Sequence, residues 1–192
     1  MGPETRRPAT YADLEALPEH FIGQIIDGEL IAMPRHPARQ TVSYSVLLGE
    51  LVAAFDLGRR GGPGGWWILG RPELHFGQDV LVPDIVGWRR ERMPQVPDLP
   101  YFTLAPDWVC EVLFPANATL GRTRKREIYA REGVTHVWLA DPDSRTLETF
   151  RLHDGQWVER GSWSGGARVR AEPFEAVELE LEAVWPTGWR LP

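Results

Sequence analysis

Cysteine is nearly missing from this 192-residue chain. Cys110 stands alone, so no internal disulfide can form, and its place in the apolar run from Trp108 to Leu113 reads as a buried thiol. Long apolar runs are missing too. No stretch approaches the ~18 residues of a membrane span. The arginines between Met1 and Pro8 are not followed by the apolar segment of a signal peptide, so the cytoplasm is the expected compartment and no membrane partner is expected. Positive charge is in deficit: a net charge of -6 and a pI near 5.4 exclude broad, charge-driven coating of nucleic acid. A nucleic acid would have to be met at a local patch. Candidates are Arg89, Arg90 and Arg92, and the group Arg122, Arg124, Lys125, Arg126 and Arg131, although solvated helix faces explain such clusters more often. The five histidines (His20, His36, His75, His136 and His153) have no paired ligand spacing, which argues against zinc. Ser43, Ser45 and Ser162 lack a nucleophile-elbow context.

What is present suits a folded core. A chain of this length with 43% hydrophobic residues fits one domain spanning residues 1–192, without repeat, low-complexity tract or linker. Thr10 with Asp13 opens a short helix that Pro18 closes. Asp27-Gly28 marks a tight hairpin turn within Gln24–Leu30. Pro37 starts a core helix to about Phe55, with Val42, Val46, Leu47, Leu51 and Phe55 at helical spacing. Gly58–Gly65 has no phosphate-binding pattern and reads as a connection. Strands are predicted over Trp66–Leu69, Glu73–Phe76, Val80–Trp88 and Trp108–Leu113, with a proline-laden loop over Met93–Pro106. A helix from Arg122 to Glu132 stops at Gly133, and Thr135–Ala140 is a buried strand. Thr146–Leu152, Gln156–Arg160, Ala167–Arg170 and Val177–Leu181 form a C-terminal meander that closes the sheet. The nine tryptophans are mostly packing residues, with Trp185 and Trp189 as an exposed tail pair for a subunit contact.

Two acids stand at the ends of apolar strands: Asp84 within Leu81–Val86 and Glu111 within Trp108–Leu113. A carboxylate in such a setting is costly unless a cation pairs with it, whereas a single strand acid is more often simply solvated. Two in similar settings favour a site. Mg²⁺ is suited to one or two carboxylates plus waters and substrate oxygens. Lys125 shares a helix face with Ile128 and Tyr129, so it is either part of the site or a snorkelling side chain.

These residues also carry a resemblance. Asp27-Gly28-Glu29-Leu30, Val82-Pro83-Asp84, Pro106–Leu113, Lys125 with Ile128-Tyr129-Ala130 and Gly133-Val134, and Trp138–Pro142 together resemble the Uma-two family of bacterial restriction-endonuclease-like proteins, over nearly all of the chain. That family has the PD-(D/E)xK nuclease fold. The resemblance implies an α/β fold of restriction-endonuclease-like type: a mixed β-sheet flanked by helices, with the C-terminal antiparallel β-meander. It implies Asp84 and Glu111 as ligands of Mg²⁺ or Mn²⁺, the Val112 carbonyl as a further ligand, and Lys125 as the catalytic lysine. In the wider fold that lysine lies two residues after the Glu, where this chain has Leu113. Glu29 matches an early acidic residue of the family that stands near the metal, or else is a solvated hairpin residue, and Glu73 is a weaker candidate. The reaction implied is hydrolysis of phosphodiester bonds in DNA, by a homodimer. Phe114-Pro115-Ala116 replaces the usual Ser-Pro-Ser, and Gly121 stands where Asp is common, so the alternative is an inactive nuclease-fold binding or regulatory module.

Overall fold

The structure, a computed structural model, describes residues 7–186. Helix α1 (Tyr11–Glu15) begins where expected, with the Thr10 backbone N–H donating to the Asp13 carboxylate at 2.7 Å. Strands β1 (Phe21–Ile26) and β2 (Glu29–Pro34) are the hairpin, turned by Asp27 and Gly28 at φ 51° and 76°. Positive φ at both central residues is what the Asp-Gly pair supplies. Helix α2 (Ala38–Leu51) continues into a π-helical turn, Val52–Asp56. Its buried stripe runs through Gln40, Ser43, Leu47 and Leu51, while Val42 is exposed. The expected stripe is thus rotated, because the Ser43 hydroxyl finds the Val184 carbonyl at 2.8 Å and can be buried without loss.

Strands β3 (Trp66–Gly70), β4 (Leu74–Phe76), β5 (Asp79–Leu81) and β6 (Ile85–Arg89) follow. The single strand expected over Val80–Trp88 is therefore two strands in different sheets. Pro83 has no N–H to give a ladder, and the chain changes sheet across Val82-Pro83-Asp84. Strand β7 (Trp108–Val112) leads to α3 (Ala118–Arg122), a short helix the sequence did not announce, and then to α4 (Arg124–Arg131), the helix expected from Arg122; Thr123 between them, at φ -122° and ψ -94°, is not helical. Strands β8 (His136–Asp141), β9 (Thr146–His153), β10 (Gln156–Ser164), β11 (Arg168–Val169) and β12 (Leu179–Glu180) precede the short α5 (Leu181–Val184).

The central six-stranded sheet has the order β10-β9-β8-β7-β6-β3. It is mixed: β7 and β8 are parallel, joined by the α3–α4 crossover, and the other pairs are antiparallel. A second sheet, β2-β1-β5-β4, is antiparallel. The C-terminal meander does not close one sheet. β9 and β10 extend the central sheet, whereas β11 and β12 pair as a separate ribbon, because Val169, Leu179, Leu181 and Trp185 bury themselves in the core layer that includes Leu47, Leu51 and Phe55. Trp185 is 2% exposed and its indole donates to the Gly165 carbonyl, so it is a core residue rather than an exposed contact; Trp189 lies outside the described residues.

Both faces of the central sheet are buried. Along β7, Trp108, Cys110 and Val112 pack into the layer with α2, and Val109, with Leu113 just beyond, into the layer with Ile128 and Tyr129 of α4. Glu111 shares the parity of the second set and points toward α4 from the middle of the molecule. Among the described residues no helix is long and apolar enough to cross a membrane.

Candidate active site

Strand register positions the two acids. β6 and β7 pair antiparallel as Ile85↔Cys110, Val86↔Val109 and Gly87↔Trp108. Continuing that register by one residue sets Asp84 opposite Glu111, on one face of the sheet. Asp84 Oδ2 accepts the Val112 N–H at 2.8 Å, which fixes the carboxylate where the ladder ends. Like charges directly opposite on a sheet are destabilising, so this pair demands a cation.

Lys125 supplies one. Its Nζ lies 2.6 Å from Glu111 Oε1 and donates to the Val82 carbonyl at 3.3 Å. Tyr129 of the same helix donates its hydroxyl to that Oε1 at 2.6 Å, so both donors use one oxygen and, among the described residues, no hydrogen bond reaches Oε2. Lys125 is only 3% exposed, which rules out a snorkelling ammonium. It is also the chain's only lysine, beside 20 arginines. That count is a signal the helical pattern alone does not carry: where a compact, rotatable ammonium is needed, a bulky planar guanidinium does not substitute.

Burial pushes the Asp84 carboxyl up to about 6, against the pull of Lys125, the Val112 N–H and Arg71. Burial raises Glu111 as well, with Lys125 opposing and the Asp84 charge adding to it. Burial also holds the Tyr129 hydroxyl well above its ordinary range, aided by Glu111, so it remains a donor.

Two residues that the sequence did not place at the site join it. His36 Nε2 is 3.1 Å from Asp84 Oδ1, its ring edge-on to Phe114 at 5.0 Å, and Arg71 Nε is 3.5 Å from the same oxygen. Burial drives His36 down to about 4, helped by the charges of Arg71 and Lys125 and opposed by Glu111. Asp84, Glu111, Lys125, His36, Arg71, Asn117 and Gly121 line one cavity of about 30 Å³, room for a water or an ion.

The other candidates lie elsewhere or act indirectly. Glu29 sits on the exposed hairpin with its carboxylate 2.7 Å from Arg124, outside the cavity. Glu73 binds His75 at 2.6 Å and Tyr11 at 2.9 Å, also outside the cavity. The Val112 carbonyl accepts from Asn117 Nδ2 at 3.2 Å, and one lone pair remains. The arginine clusters are largely spent internally. Arg90 pairs with Asp56, Arg92 with Asp107, Arg122 with Glu148 and Arg131 with Asp79, and Arg126 lies 4.1 Å over the Phe150 ring.

The donor set fits a hard divalent ion. The two carboxylates on the cavity are oxygen donors, and among the described residues no three His, Cys, Asp or Glu side chains cluster as a cage. Mg²⁺ is commonly held in this sparse way, with waters and substrate completing its shell, whereas structural zinc is not.

No curated protein is significantly similar to the chain. A crystal structure described as "a putative nuclease belonging to DUF820 from Anabaena variabilis" superposes with a TM-score of 0.74 at 22% identity, covering 93% of this chain and 98% of that one. The likeness shows a shared fold. The family described as "Uma2: Putative restriction endonuclease" matches residues 8–183, and the chain belongs to that family.

Proposed function

We propose that the protein is a cytoplasmic, divalent-metal-dependent endonuclease that hydrolyses phosphodiester bonds of DNA. The observation that carries this reading is the register pair Asp84 and Glu111, buried together in one cavity with the chain's only lysine on Glu111. Asp84 and Glu111 would hold Mg²⁺ or Mn²⁺, with the Val112 carbonyl as a further oxygen ligand. Bound there, the ion supplies a Lewis acid for a phosphoryl oxygen and a lowered pKa for a water.

The protein groups have distinct tasks. Lys125 spends two N–H groups on Glu111 and the Val82 carbonyl, which leaves a third to orient the attacking water or meet charge developing on phosphate. Tyr129 holds Glu111 by Oε1 so that Oε2 stays available. Burial makes each of these charges worth more than it would be in water. A homodimer is part of the proposal, since sheet edges such as β2 and β10 are surfaces proteins normally pair or cover. Sedimentation at a monomer mass near 21.8 kDa at micromolar concentration would remove that part.

The deciding experiment is incubation of supercoiled plasmid with the protein and Mg²⁺ or Mn²⁺, beside Asp84→Ala. Nicking by the parent and not by the variant is expected. Nicking by both, or by neither, would overturn the reading. A second reading, a nuclease-fold binding module, draws support from the loop after β7: Phe114 is buried against His36 where a hydroxyl residue is usual, and it offers the site no polar group. Plasmid binding without nicking would favour it.

A further inference from the structure

Arg71 is held in more ways than a surface arginine requires. Its backbone has φ 52°, a left-handed conformation uncommon for a residue with a side chain, and such strain collects at functional sites. Its N–H donates to the carbonyl of Asp84 at 2.8 Å, which ties it to the candidate ligand's own backbone. The guanidinium lies over the Tyr44 ring, 4.5 Å from its centre. A Cβ at Gly70 would fall 2.1 Å from the Tyr44 hydroxyl, so only glycine lets the tyrosine close on the end of β3 as a shelf for the next residue's side chain.

The far end of the guanidinium donates to His36 Nδ1. Arginine has no acceptor, so His36 presents a lone pair at Nδ1 and carries its proton on Nε2, toward Asp84 Oδ1 at 3.1 Å. The Arg71 guanidinium is ion-paired with Asp84, Nε standing 3.5 Å from Oδ1, without an aligned side-chain hydrogen bond between them. Its Nε is buried without a partner, while the side chain as a whole keeps 26% exposure at the cavity wall. Nη1 makes no hydrogen bond among the described residues, and a fixed, partly exposed guanidinium with that end free is suited to an anion arriving from outside.

We propose that Arg71 is a substrate-contacting residue whose guanidinium grips the non-bridging oxygens of the phosphodiester bound at this site. The proposal rests on the nuclease reading and assigns a residue that reading does not use. Tyr44 and His36 hold the guanidinium, and its planar fork matches two phosphate oxygens as an ammonium would not.

The test is fluorescence anisotropy of a short labelled DNA duplex, with Ca²⁺ in place of Mg²⁺, across a salt series. Arg71→Gln removes the charge at similar size, and Arg71→Lys keeps it without the fork. With the fold confirmed by thermal melting, Arg71→Gln is expected to bind about tenfold or more weakly, and its log K against log salt slope to fall by about one. Arg71→Lys should recover the slope but not the affinity. An unchanged slope in Arg71→Gln overturns the assignment, as does parental affinity in Arg71→Lys, the variant that decides if Arg71→Gln does not fold. The nuclease reading is judged separately. Nicking by the parent and not by Asp84→Ala, together with an unchanged Arg71→Gln slope, leaves the nuclease standing and Arg71 out of it; a duplex the parent does not bind overturns the Arg71 assignment, while the nicking assay alone decides the nuclease.

Discussion

Asp84 Oδ2 takes the N–H of Val112 at 2.8 Å, so the first acid of the pair is bonded to the strand that carries the second. The separation of the two carboxylates is therefore set by backbone pairing between β6 and β7 rather than by side-chain freedom. Such a pair is preorganised for an ion and is an electrostatic burden without one.

Metal-free stability should carry opposing pH dependences. A carboxyl raised to about 6 in the fold, as at Asp84, contributes stability that is full below its ordinary 3.8 and lost as pH rises through 6. His36, lowered to about 4, contributes stability that is full above 6.5 and lost as pH falls through 4. Asp84→Asn removes the first and keeps the second. In EDTA at pH 7 the variant should be more stable than the parent by on the order of 1–3 kcal/mol, and its stability should fall less steeply than the parent's between about pH 4 and 6.5, because the raised Glu111 still opposes His36. Urea unfolding at several pH values measures this, and a variant less stable than the parent at pH 7 would contradict it.

Divalent ions should relieve the same burden. At about 100-fold over its dissociation constant an ion adds ~2.7 kcal/mol, several degrees in the melting temperature of a chain this size. Because the ion competes with a proton on Asp84, the gain should shrink as pH falls below about 6. Melting curves with and without Mn²⁺ check it, and Asp84→Ala should show no gain.

Gly121 offers a test in the opposite direction. A Cβ there would stand 3.8 Å from Glu111 Cβ and 3.1 Å from a Leu113 methyl, a contact the flexible leucine can relieve. Gly121→Asp would place a third carboxylate on the cavity. The metal-free protein should lose about 1–3 kcal/mol from the added buried charge, while Mn²⁺ affinity by calorimetry should rise several-fold. A variant that loses stability without gaining affinity would mean the ion does not sit beside Glu111.

Legibility in the sequence followed the range of the signal. The Asp27-Gly28 turn, the capped α1 and the strand-end acids are local features, readable from a few residues. The inward face of Lys125 was readable because helical spacing places it beside Ile128 and Tyr129. The division of Val80–Trp88 between two sheets was not, since it depends on what β5 and β6 find to pair with, although Pro83 is its local mark. His36 and Arg71 reach Asp84 from different parts of the chain, each a single residue without period or motif. Glu29 has the expected hairpin, yet its pairing with Arg124 is a tertiary fact. Helix α3 is too short to show a spacing, and the nearest mark of the break at Thr123 is Gly121, two residues before it.

Lys125 is the residue on which the enzyme reading most depends, and its solitude makes it testable by chemistry as well as by mutation. Buried at 3% exposure, it should resist amine-reactive reagents in the folded protein. Mass spectrometry should then find label only at the chain's amino terminus until denaturant is added. Lys125→Ala leaves Glu111 buried with Tyr129 alone, and Glu111 can take up a proton in response, so the stability cost should stay below the ~3–5 kcal/mol of an uncompensated buried charge. Plasmid nicking should fall about 10²- to 10³-fold, the loss typical of removing one preorganised charge-stabilising group. Lys125→Arg should not restore it, because a planar guanidinium is too large for the place between Glu111 and the Val82 carbonyl. Full nicking by a folded Lys125→Ala protein at saturating Mg²⁺ would show that the ion pair only neutralises Glu111, and would return the weight to the binding-module reading.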